Sequence, residues 1–144
     1  MSVLAKASAE QIESACAPLG ALPPFKWLRR PETGLVMVRG RIGGGGAKFN
    51  LGEVPVTRCA ISLDDGTAGH AWVQGRDARH AELAARLDAM LQDMRYHAKI
   101  NARVISTLAA RQSARRDLAA RKAAATKVEF YTMAREAQAA GGSK

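Results

Sequence analysis

The residues predict an α+β fold: a small antiparallel sheet of about four to five strands, with an N-terminal helix before it and two C-terminal helices after it. Three observations carry this expectation. Between Phe25 and Gln74, apolar and polar residues alternate in short runs broken by glycine and turn residues, which is the period of strands. Asp64-Asp65-Gly66 lies between two such runs and is the clearest hairpin signal in the chain. From Asp77 onward the apolar spacing shifts to the three-and-four period of a helix, and alanine becomes abundant.

In chain order, Ser8 followed by Glu10, Gln11 and Ile12 predicts an N-cap and a short helix to about Ala17, which Met1 to Ala5 could extend. Pro18, Gly20 and the Pro23-Pro24 pair end that helix and impose an extended linker. Phe25–Arg30 reads as a first strand, Pro31–Gly34 as a turn and Leu35–Ile42 as a second strand. Alternation in that second strand sets Val36, Val38 and Ile42 on one face and Leu35, Met37, Arg39 and Arg41 on the other. Gly43–Gly46 is a loop, Ala47–Leu51 a short third strand, Gly52-Glu53 a turn and Val54–Leu63 a fourth strand. Thr67–Gln74 completes the meander.

Gly75-Arg76-Asp77 ends the sheet, and Asp77 is placed to cap a helix whose apolar face is Leu83, Leu87, Met90, Leu91 and Met94. A break near Ile100-Asn101 separates it from a basic helix of about Ala102–Ala125. Val128–Met133 is β-branched and aromatic and reads as extended. Residues 1–136 form one domain in this reading, and 137–144 are expected to be a disordered tail.

The chain has 144 residues, room for one domain with a real core. Hydrophobic residues make up 47% but aromatics only 5%, because alanine supplies much of the apolar fraction. Alanine favours helix yet buries little area, so the second half is expected to lean on a partner surface. The net charge is +9, and Arg95 to Lys127 holds nine Lys/Arg against the single acid Asp117. Such a stretch suits nucleic acid, a solvated helix face or an acidic subunit, but it offers only Tyr96 for stacking. Cys16 and Cys59 are far apart and make no metal-spaced group, which fits a reduced, cytoplasmic setting. No run approaches a membrane span.

No complete catalytic motif is present. The glycines Gly43–Gly46 could cradle an anion, yet Ala47-Lys48-Phe49 follows them and no Ser or Thr follows the lysine, so the Walker pattern fails. His70, His80 and His97 lack the paired spacing of metal ligands, and no metal site is expected. Cys59 stands beside Arg58, which could activate a thiolate, but alternation sets it on the Ile61/Leu63 face away from that cation. Glu32, Glu53, Asp64, Asp65 and Asp77 fall at turns or caps. No catalytic residue is expected. The candidates for binding or subunit contact are Arg39, Arg41, Arg58, Gln74, Arg76, Asp77 and His80, with Gln74, Arg76, Asp77 and His80 concentrated at a strand-to-helix corner.

Four segments are recognisable together: ETGLVMVRGRIGG, FNLGE with VTR, LDDGTAGHAWVQGRDARHAELAARLDAML, and VEFYTM. On these the chain resembles the PhnG family, a subunit of the bacterial carbon–phosphorus lyase core complex, over about residues 3 to 135. The resemblance implies an accessory, assembly role in organophosphonate catabolism. It implies support for forming α-D-ribose 1-methylphosphonate 5-triphosphate from ATP and methylphosphonate with release of adenine. It also implies other lyase subunits as partners (PhnH, PhnI and PhnJ), with nucleosidase-like chemistry assigned to PhnI and radical C–P cleavage to PhnJ. No cofactor is then expected on this chain, while ATP and magnesium are implied for the complex. Alone, it is expected to form a homo-oligomer. The rival readings are a free-standing basic nucleic-acid-binding protein and a small enzyme using Cys59 or His80.

Overall fold

Helix α2 (Ala78–Gln92) is covered on almost every side, and the rest of the fold is arranged around it. A computed structural model describes residues 1–42 and 45–126. Met1–Gln112 forms one compact unit, and the last helix continues from Ser113 into a second. On one side of α2 the described residues form an antiparallel sheet of three strands, β1 (Phe25–Arg41), β2 (Lys48–Leu63) and β3 (Ala68–Gln74), in the order β1-β2-β3. The N-terminal turn at Leu4–Lys6 and helix α1 (Ala9–Cys16) also pack against α2. Helix α3 (Met94–Ile100) passes through a π turn at Asn101–Ile105 into α4 (Ser106–Ala125).

The strand count differs from the expected four or five because two turn signals do not reverse the chain. β1 runs straight through Pro31–Gly34, with register shifts between Trp27 and Arg29 and between Arg29 and Glu32. Proline is tolerated there because, among the described residues, β1 is an edge strand whose outer side needs no donor. Gly52-Glu53 likewise lies inside β2, where a shift at Val38/Arg39 absorbs one extra residue. The Asp64–Gly66 hairpin forms as expected, with the Asp65 carboxylate accepting from Thr67 N at 2.9 Å.

The core face of the sheet carries Cys59, Ile61 and Leu63 from β2 and Ala71 and Val73 from β3, all buried. Gly69 makes the helix contact close. A Cβ there would stand 2.1 Å from the Ala85 carbonyl oxygen and 2.6 Å from Ala89 N. Small residues on both elements therefore let α2 lie directly on β3. Beyond α2, Leu4, Ile12, Ile100, Val104 and Leu108 close the core. Met94, expected on the apolar face, is 92% exposed: Asp93 is extended, caps α3 and turns the next helix out of phase. Instead of a break at Ile100-Asn101, the helix continues through the π turn.

Helix α1 begins at a capping box, in which Ser8 Oγ accepts from Gln11 N at 3.2 Å and Gln11 Oε1 accepts from Ser8 N at 3.1 Å. Met1 to Ala5 does not extend it, since Ala7 and Ser8 are in extended backbone between the turn at Leu4–Lys6 and α1. The expected extended segment Val128–Met133, the boundary at 136 and the tail lie outside the described residues.

Candidate functional site

One face of the sheet is packed on α2; the other has no layer over it among the described residues. Alternation brings Lys26, Arg58, His70, Trp72 and Gln74 to that second face, with Val54 and Val56 beside them. Its centre is an open groove of about 350 Å³ bounded by Glu32, Gly34, Val36, Val56, Arg58 and Trp72. The Arg58 guanidinium lies over the Trp72 ring at 5.6 Å from its centroid. Glu32, opposite Arg58 in the β1–β2 ladder, accepts from Arg58 Nε and from Arg29 Nη1, the latter at 2.5 Å. These two hydrogen bonds, Arg29's foremost, hold the Glu32 carboxyl below its ordinary value. It is therefore ionised at neutral pH and suited to orienting an arginine, not to donating a proton.

The residues singled out in the sequence separate into three places. Arg58 and Gln74 lie on the open face, Gln74 opposite Val56 at the end of β3. Arg39 and Arg41 lie farther along β1, both exposed, with Arg41 Nη1 donating to the Gly46 carbonyl at 2.9 Å. Arg76, Asp77 and His80 follow β3. Arg76 is exposed and makes no ion pair among the described residues. Asp77 caps α2 by accepting from His80 N at 2.9 Å. His80 is buried, and its Nε2 pairs with the Leu4 carbonyl at 2.8 Å, which fixes the N-terminal segment to α2. The corner thus contains one exposed cation beside two residues engaged within the fold.

The thiols are not poised for chemistry. Burial is the main force raising Cys59, with Glu82 adding to it, and the thiol is pushed up to about 11. Burial also raises Cys16. A thiol so shifted is protonated at neutral pH and is a poor nucleophile. His97 Nδ1 is engaged by the Leu91 carbonyl at 2.6 Å. Among the described residues no three of His, Cys, Asp and Glu come close enough to hold a metal ion. Gly43 and Gly44 lie outside the described residues.

Two members of the groove were not found from sequence. Glu32 read as a turn residue because Pro31 precedes it and Gly34 follows. Trp72 alternates with His70 and Gln74 along one strand, and nothing local sets it beside an arginine. The available signal was charge pairing across the sheet, which needs the β1–β2 register.

The open, arginine- and tryptophan-bearing face has the composition of a binding surface. The sequence model of the family described as "Phosphonate metabolism protein PhnG" matches residues 1–136. The chain belongs to the PhnG family. A relative from Rhizobium meliloti (strain 1021), "Alpha-D-ribose 1-methylphosphonate 5-triphosphate synthase subunit PhnG", is 42% identical over 135 residues, covering 94% of this chain and 86% of the relative. The likeness to that PhnG protein therefore extends through the sheet, α2 and α4 alike.

Proposed function

We propose that this chain is the PhnG-type accessory subunit of an α-D-ribose 1-methylphosphonate 5-triphosphate synthase acting in organophosphonate catabolism. The observation that carries the reading is the 42% identity to a synthase subunit along nearly the whole chain. The site supports it: the groove offers an ionised carboxylate, paired arginines and an indole, while the buried thiols are protonated. Such groups bind and position; they do not form a nucleophile with its base.

In this reading the complex joins methylphosphonate to the ribose C1′ of ATP, and adenine leaves. Magnesium and ATP belong to the assembled enzyme, and the partners are the other lyase subunits, PhnH, PhnI and PhnJ. Arg39, Arg41, Arg58 and Arg76 meet acidic groups or phosphates at subunit junctions, where a planar guanidinium pairs bidentately with either. The setting is cytoplasmic, and no helix among the described residues is long and apolar enough to cross a membrane.

The test is co-expression of a tagged chain with those subunits, followed by the mass and composition of the purified species. A stoichiometric complex supports the reading, and recovery of this chain without the others contradicts it. A second reading, nucleic-acid binding, draws on the exposed basic residues Arg111, Arg115, Arg116, Arg121 and Lys122 of α4. Duplex affinity that persists at physiological salt would favour it, whereas weak binding that collapses as salt rises would reflect charge alone.

A further inference from the structure

β3 pairs with β2 only from Val56 to Ser62. Past that point β1 and β2 continue as a two-stranded ribbon, from the Leu35–Pro55 pair to the Arg41–Lys48 pair. At roughly 3.3 Å per residue this ribbon is about 20 Å long. None of its residues is buried. A ribbon of two strands is marginally stable in water on its own, and one meant for solvent would carry polar side chains on both faces.

Here one face is apolar. Val36, Val38 and Val54 share it by alternation and pairing, and Phe49 and Leu51 lie across Gly40 on the same side. Leu51 is 65% exposed and Phe49 41%. Gly40 permits this arrangement, because a Cβ there would stand 2.8 Å from Leu51 Cδ1 and 3.9 Å from the Phe49 ring. The stripe is therefore shaped within the free chain, which reduces the ordering cost of docking. It runs on into Val56 and the Arg58–Trp72 groove. The opposite face is basic: Arg39 and Arg41 lie there beside Leu35 and Met37, Lys48 is paired with Arg41, and Glu53 is the one acid along the ribbon.

We infer that this ribbon, Leu35–Arg41 with Lys48–Val54, is a docking arm that enters an apolar cleft with an acidic rim on a different subunit of the complex. The inference rests on the subunit reading above. An acidic partner follows from charge, since a second copy of a chain of net charge +9 would set Arg39 and Arg41 against like charge. Contact on both faces follows from the arm's two characters: the apolar stripe supplies buried area, and the arginines fix register and partner.

The test uses the full chain co-expressed with the other subunits. Phe49→p-benzoylphenylalanine, irradiated in the purified complex, should give an adduct to a different subunit at a peptide flanked by Asp or Glu. Leu51→Asp should lower partner recovery by about tenfold or more, the loss expected of a central interface contact. Arg39→Glu with Arg41→Glu should do the same from the other face. The melting temperature of each isolated variant should match the parent, because the arm lies outside the core. An intact complex with undiminished recovery of both variants would overturn the arm while leaving the subunit reading in place. An adduct to a second copy of this chain, or none in an intact complex, would also overturn it. If the parent chain recovers no partner, the subunit reading fails and the arm inference with it.

Discussion

Gly69 has no side chain because the backbone of α2 lies where one would be. Gly69→Ala should cost about 3 kcal/mol, the upper end for overpacking, since a helix backbone and not a flexible side chain must move. Urea unfolding checks this, and a change within a few tenths of a kcal/mol would mean that the helix does not rest on the strand. Cys59 gives a second residue-scale expectation. Its thiol is raised by burial to about 11 from an ordinary value of 9.0, so the folded state retains the proton where the unfolded chain loses it. Stability from this group is fully present below pH 9 and is lost as pH rises through about 11. Thiol-reagent labelling of the native chain at pH 7 to 8 should be far slower than that of the unfolded chain, and Cys59→Ala should leave assembled activity nearly unchanged. Rapid native labelling, or loss of turnover in Cys59→Ala, would contradict the assignment of this thiol to the core. Alternation made the placement of Cys59 legible, because each residue of β2 needs only its neighbours' period to choose a face. The closeness of Gly69 to Ala85 and Ala89 was not legible, since it depends on how two elements distant in sequence come to rest.

Helix α2 and the long ribbon are the elements on which the account depends. Leu87 is fully buried in α2, so Leu87→Ala should cost about 2–5 kcal/mol by denaturant unfolding. A smaller loss would mean that the layers on either side of α2 are loosely packed. The carboxylates that tie elements together give an acid limit. Glu32 is lowered by Arg29 and Arg58, Asp65 by the Thr67 N–H, and Asp93 by Arg95. A depressed folded value means that their contribution is present above the ordinary carboxylate range and lost as pH falls through the lowered value. Thermal melts should therefore hold from neutral pH to about pH 5 and fall below about pH 4. Constant melting to pH 2 would show that these exposed pairs contribute nothing. At this scale the Ser8 cap, the Asp77 cap and the Asp64–Gly66 hairpin were legible because each signal is local. The strand count was not. Pro31–Gly34 and Gly52-Glu53 carry turn residues, but whether such residues reverse a chain or only bulge a strand depends on the register of the partner strand. The same dependence hid Glu32, whose two arginines meet it only in that register.

For the whole molecule, the charge excess, the incomplete sheet cover and the absence of an activated nucleophile among the described residues agree with a subunit that completes an assembly. The family resemblance was legible because its central block is a long, specific run of turns, strand residues and helix start. The proposed partner-facing surface was legible only in outline: Arg39, Arg41 and Arg58 stand out in the sequence, but their division between a ribbon and a groove required the sheet. The central claim is that this chain is required for the synthase and does no chemistry alone. It is tested most directly by measuring adenine release from ATP and methylphosphonate with the remaining subunits, with and without this chain, and with this chain by itself. The account predicts release when all subunits are present, little or none when this chain is left out, and none from this chain alone. Undiminished release without it, or adenine formed by the isolated chain, would contradict the account.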